Sequence, residues 1–317
     1  MAVATPKVSE PRAHHFVPQC WLAGFTDVGR KDGRLFVTDL NRRKQWTTTP
    51  PNAGHRRDFY RVPNDIDPLA FEKHFAWIEN WVAPLFRSYN DSPREVLGDD
   101  LDVLLLFAAV QFVRTPSFRP ILLQVERSII TSEIAKATQS EAKWKETLRA
   151  TGCENAEISR EDIQTFKYLL SGETDYFLTR GFEVVDLVIY PSLSSRYWST
   201  LYSPSGSFIG SDTPVVMDGP PNQMLGFKSA EVVMFTINRH LALYGTPVKI
   251  RRPLVNRKLI ATHNTFAMLT AEEQVYSYNA DFCWLDSKGK VQTQWESFSK
   301  VVDSIGNTPK FSLYAAE

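Results

Sequence analysis

The sequence predicts an α+β fold: a helical N-terminal half packed on a mainly antiparallel sheet from the C-terminal half, with a small β-hairpin near the N-terminus. Three observations carry this expectation. Through residues 65–190 apolar side chains recur at helical spacing, as in Phe71, Phe75, Ile78, Val82 and Leu85. After Pro191 the pattern changes to short β-branched or aromatic runs divided by Gly, Pro and Asn, concentrated in residues 197–285. Helices and strands thus occupy separate stretches instead of alternating, which argues against a parallel sheet. The 317 residues, 43% hydrophobic, suffice for a large core, read as a tail (1–12) followed by one domain (13–317).

Residues 1–12 hold Pro6 and Pro11 and few large apolar groups, the composition of a mobile tail. His14-His15-Phe16-Val17-Pro18-Gln19 follows; proline biases Val17 toward an extended conformation and suits the first position of a helix, so the histidines end an extended segment. Trp21, Leu22 and Phe25 then fall at helical spacing and anchor that turn. Residues 34–40 and 45–49 read as two strands joined by the turn 41–44. Asp67-Pro68 opens the first long helix, which Pro84 is expected to kink or end. Residues 101–114 are apolar on nearly every side, the mark of a central buried helix, and Thr115-Pro116 stops it. One amphipathic helical region covers 119–149, Ser159 with Asp162 resembles a capping box for a short helix ending near Leu170, and Pro191 is expected to close a helix over 176–190. Strands are expected over 198–202, 207–217, 231–237, 241–244 and 275–278, with a helix over 255–269 and a last helical piece near 297–305.

The 36 basic and 36 acidic side chains cancel, so attraction to nucleic acid must come from a local patch. Residues 12–61 hold ten Lys or Arg against four acids. Within them Arg42, Arg43 and Lys44, with Trp46, Phe59 and Tyr60 interleaved, offer cations for phosphates and rings for bases; Lys249, Arg251, Arg252, Arg257 and Lys258 form a second basic group. Each group alone reads as a solvated face, and gains functional weight only if it flanks the histidines. Cys20, Cys153 and Cys283 are odd in number and form no C-x-x-C pair, which argues against a disulfide framework or structural zinc and favours a reducing cytoplasm. No apolar stretch precedes His14, and the longest apolar run, residues 103–110, is too short to span a bilayer; no membrane association is expected.

An ordered series of short signatures marks the chain: His14-His15-Phe16-Val17-Pro18-Gln19, Asp58-Phe59-Tyr60, Glu79, Gln111-Phe112-Val113-Arg114-Thr115-Pro116, and Ser211-Asp212-Thr213-Pro214-Val215. In this series the chain resembles the domain-of-unknown-function family numbered 4238, a mainly microbial group of similar length, over residues 14–278. The resemblance implies a fold unit and a short list of positions, and carries no established activity. Cys20 and Trp21 depart from the aromatic or aliphatic pair expected there, and Gly210 stands where a hydroxyl residue is common.

The candidate catalytic residues are His14, His15, Glu79, Arg114 and Asp212. A histidine can act as acid or base near neutral pH or ligate a metal; the structural alternative is an imidazole satisfied in the core. Glu79 and Arg114 sit on strongly apolar helices, where a charge is expensive unless paired, so they either pair with each other or Glu79 approaches a histidine, orienting the imidazole or binding a divalent metal. Asp212 either lines a cleft or builds the Ser211-Asp212-Thr213-Pro214 turn. Arg42, Arg43, Lys44, Tyr60, Gln111, Ser211 and Asn264 are the substrate-binding candidates, and a divalent metal ion the cofactor candidate. P-loop, dinucleotide-binding, H-E-x-x-H and G-x-S-x-G motifs are absent, and the opening histidines lack the later Asn and His of a His-Asn-His nuclease. Two function classes remain open: a hydrolase acting on phosphodiesters, nuclease-like and contacting nucleic acid through its basic patches, or a non-catalytic binding or accessory module in which the same residues are structural.

Overall fold

The structure is a computed structural model that describes residues 12–61, 67–155, 157, 159–165, 174–220 and 226–298. The described residues fall into two compact units, one formed by the chain up to Thr115 together with that from Leu178 onward, the other by Pro116–Phe177.

In the first unit, β1 (Ala13–His15) pairs antiparallel with β4 (His55–Arg57), placing His14 opposite Arg56 and His15 opposite His55. Pro18 is extended and caps α1 (Gln19–Leu22), which buries Trp21 and Leu22 as the spacing predicts; Phe25, one turn on, is fully buried. The Val17 amide donates to Gly54, whose φ of +61° and closeness to the Val17 side chain, 2.6 Å from any added Cβ, admit only glycine. β2 (Leu35–Asp39) and β3 (Lys44–Thr48) form the expected hairpin. α2 (Ala70–Asp91) and α3 (Gly98–Arg114) follow, with Phe75, Ile78, Val82 and Phe86 on the buried face of α2.

Strands of the C-terminal half complete two antiparallel sheets. One runs β3-β2-β10-β6, where β6 is Gly210–Ser211 and β10 is Gln274–Ser277; the other runs β5-β9-β8-β7, from Tyr197–Tyr202, Leu241–Thr246, Val232–Asn238 and Val215–Asp218 respectively. The N-terminal helices pack on the second sheet: Phe107 meets Phe235 at 6.2 Å between ring centroids, and the Asn238 amide donates to the Tyr89 carbonyl at 3.1 Å. The second unit holds α4 (Phe118–Ala137), α5 (Glu141–Ala150) and α6 (Arg160–Thr165). The last long helix, numbered α9 below, is Arg257–Thr270; its Ile260, Ala261 and Phe266 enter the core of the second sheet, while Ala267 and Met268 enter the core around Val275 and Ile209.

Several boundaries differ from expectation. Pro84 does not end α2, which continues to Asp91. The region 119–149 is two helices, because Ser140 turns extended and its hydroxyl accepts from the Lys143 amide, capping α5. Nor does Pro191 close its helix. α7 (Thr174–Val184) passes into a π-helical turn, Val185–Ile189, and then α8 (Tyr190–Ser194). Proline gives no N–H to the carbonyl four residues back and its ring crowds that carbonyl; the widened turn just before it accommodates both defects. The run 207–217 is divided between two sheets by the turn at Asp212, and 297–305 begins with a 3₁₀ turn at Trp295–Ser297. The tail 1–11, the end of the helix expected near Leu170 and residues 299–305 lie outside the described residues.

Candidate functional site

α2, α3 and β1 meet at the side chain of Arg114, the last residue of α3. Its Nη2 lies 2.7 Å from Glu79 Oε1 and also donates to the His15 carbonyl, and its guanidinium sits 4.5 Å above the Phe75 ring. Arg114 is 1% exposed and the Glu79 side chain 19%. The backbone carbonyl of Arg114 accepts from the Tyr60 hydroxyl at 2.8 Å, and the Tyr60 amide donates to His14 Nδ1 at 2.9 Å. His14 is therefore buried with Nδ1 as an acceptor, which puts a neutral ring's proton on Nε2.

His15 is placed differently. It is 9% exposed, its ring stands 5.2 Å from that of His55, and its Nε2 lies 3.2 Å from the Pro51 carbonyl and 3.3 Å from the Gln19 amide. If Nε2–H donates to Pro51, the lone pair is on Nδ1. Burial first, then the charge of His55, depresses its pKa, so the ring is neutral at neutral pH.

The polar cluster is incompletely satisfied. Arg114 Nε and Nη1 and both amide atoms of Gln111 are buried without a hydrogen-bond partner among the described residues, as is Glu72 Oε2. Glu72 lies two turns before Glu79 on α2. Burial raises its pKa to about 7, with Arg114 opposing and Glu79 reinforcing the shift. The thiol of Cys20 is pushed up to about 12 by burial and by the Glu79 charge, which removes it as a nucleophile at neutral pH.

Of the predicted residues, His14, His15, Glu79, Arg114 and Tyr60 thus gather at one place, and Glu79 does meet Arg114; Gln111, one turn before Arg114 on α3, is fully buried. Asp212 is held elsewhere. Its carboxylate accepts from three successive amides, Glu272, Glu273 and Gln274, at 2.7 to 2.8 Å, and burial raises its pKa to about 6 against those bonds. It organises a turn whose Glu272 and Glu273 pair with Arg56, the residue opposite His14. Ser211 closes the same turn by donating to the Thr213 carbonyl at 2.8 Å. Asn264 is fully buried, accepting from the Ile209 amide and donating to the Ser207 and Cys283 carbonyls, so it is bonded within the core. Arg42 lies 3.7 Å from Asp39, Arg43 donates to the Glu296 carbonyl, and Lys44 is exposed; the basic residues that flank the histidines are Arg56 and Arg57 on β4. Arg252 of the second basic group pairs with Glu95.

Glu72, His55 and Arg56 were not singled out by sequence reasoning. A seven-residue step from Glu79 puts Glu72 on the same helix face, a signal that was present; nothing local pairs β4 with β1. Among the described residues no three His, Cys, Asp or Glu converge as a metal-ligating set, and no single helix is long and apolar enough to cross a membrane. Cys20, Cys153 and Cys283 are free thiols. A family model described as a protein of unknown function, DUF4238, matches residues 13–281. No curated protein and no solved structure matches the chain.

Proposed function

We propose that this chain, which belongs to the DUF4238 family, is a hydrolase acting on phosphodiesters, with His15 as its acid–base residue. The observation that supports this reading is a neutral imidazole beside a buried cation whose Nε and Nη1 have no partner among the described residues. Such N–H groups match the charge that develops on a phosphoryl oxygen. His15 would take a proton from water as the water oxygen bonds to phosphorus, and the ester oxygen would leave with a proton returned from the ring. Glu79 fixes the guanidinium, His14 and Tyr60 fix the strand, and Arg56 and Arg57 supply the basic flank for a nucleic-acid backbone.

A specific observation favours a second reading, a non-catalytic binding module: His14 and Arg114 are almost wholly buried, and the Glu79 pair joins two helices and a strand. Hydrolysis of single- and double-stranded RNA and DNA, with and without Mg²⁺ or Mn²⁺, separates the two when repeated with His15→Gln and followed by melting temperature. The hydrolase reading expects cleavage that His15→Gln abolishes with little loss of stability. Absence of cleavage of every substrate, or cleavage unchanged in His15→Gln, would leave the binding module.

A further inference from the structure

Away from the histidines, Arg196, just after α8, is a buried cation that no carboxylate pairs with among the described residues. It is 8% exposed. Its Nη2 donates to the carbonyls of Phe227 and Ala230, each at 2.7 Å, and its Nη1 to that of Gly245 at 3.4 Å. A guanidinium carries five N–H groups, so bonds remain to be made at Nε and Nη1, and Nε is buried with no acceptor among the described residues. No carboxylate pairs with Arg196 among the described residues, and the sequence 221–225, Pro-Asn-Gln-Met-Leu, contains no acid. Burial lowers the pKa of Arg196. Three carbonyl dipoles are weak compensation for a desolvated cation.

Arg196 lines a cavity of about 300 Å³, at the small end of ligand pockets. Lys228 is the other charged residue on its wall, while Pro191, Phe227 and Leu187 give an apolar side. Leu187, on the π-helical turn, is 76% exposed. The hydroxyls of Ser192 and Ser195 already donate to the Val188 and Ser192 carbonyls, so recognition of a charged ligand rests on the two cations.

We propose that this cavity binds a small organic carboxylate, its charge set against Arg196 and Lys228 and its apolar body against Leu187, Pro191 and Phe227. The test is calorimetric titration of the full chain at constant ionic strength with hexanoate, with hexanol as the neutral counterpart and with inorganic phosphate as an oxyanion lacking an apolar body. Hexanoate should bind saturably and more tightly than either control. Lys228→Gln should weaken it about two- to fivefold, the range of an exposed ion pair. Leu187→Glu, at an exposed position, should weaken it about tenfold or more by placing like charge at the rim. Failure of hexanoate to bind, equal binding of hexanol, or an affinity unchanged in both variants overturns the proposal; preferential binding of phosphate overturns it in favour of an inorganic oxyanion.

Discussion

Replacing Glu79 by Gln keeps the shape of the side chain and removes its charge, leaving the Arg114 guanidinium buried at 1% exposure. What then faces the cation is the His15 carbonyl, the Phe75 and Tyr60 rings, a neutral amide and the Glu72 carboxyl two turns away on α2. Breaking a buried pair on one side costs about 3–5 kcal/mol, and the 19% exposure of Glu79 places this case near the lower end, about 3 kcal/mol. At about 2–4 °C per kcal/mol for a unit of this size, the melting temperature should fall by about 6–12 °C. The companion variant Glu79→Leu with Arg114→Met removes both charges and should cost less than Glu79→Gln alone, since a hydrophobic pair can replace a buried ion pair with little loss. Urea denaturation followed by tryptophan fluorescence measures both, the single variants Glu79→Leu and Arg114→Met completing a double-mutant cycle with the double variant. A loss under about 1 kcal/mol in Glu79→Gln, or simple additivity in the cycle, would refute the reasoning and show the guanidinium to be solvated.

The His263 ring is buried, bonded to Thr236 at 2.7 Å, and held at a pKa of about 4 by burial. The unfolded chain binds that proton first, so stability should be full above about pH 6.5 and fall as pH drops through about 4, by on the order of 3 kcal/mol; His263→Gln should flatten this window in pH-dependent melts. A Cβ on Gly210 would lie 2.6 Å from the Trp21 ring, so Gly210→Ser should destabilise by about 1–3 kcal/mol, and Trp21→Phe in the same chain should recover part of that loss in thermal melts. Asp212→Ala strips the acceptor from three amides and should cost about 1–3 kcal/mol in denaturation, with Asp212→Asn intermediate and any hydrolytic rate per folded molecule unchanged.

Periodicity made the α+β class readable, because Phe75, Ile78, Val82 and Phe86 face one core and β8 is buried along its whole length. Turn chemistry was readable too, in the 41–44 turn of the hairpin. Local signals misjudged Pro191, where a π-helical turn carries the helix through a residue expected to close it, while at Pro84 the helix continues to Asp91. The site was partly legible: charges at the edges of apolar helices must find partners, which pointed to Glu79 and Arg114. Asp212 was ambiguous because a carboxylate that serves backbone amides and one that lines a cleft occupy the same kind of tetrapeptide. Trp21 and Gly210 form one packing feature, since the indole and the Phe25 ring fill the space that a side chain at 210 would need. Glu72 and His55 depended on a face and a pairing that composition does not weight.

The Trp21 indole donates to the carbonyl of Thr236 at 2.7 Å, and β2 pairs with β10, Asp39 opposite Gln274. Both partners are made long after the first strand leaves the ribosome. At about 5–20 residues per second, a separation of 215 residues is a wait of roughly 10–40 s, during which Trp21, Leu22 and Phe25 have no complete core to enter. Synthesis therefore exposes the most apolar part of the N-terminal segment for longer than a small domain takes to fold, and recombinant yield should respond to growth temperature and to chaperone supply more than to the sequence of the C-terminal end.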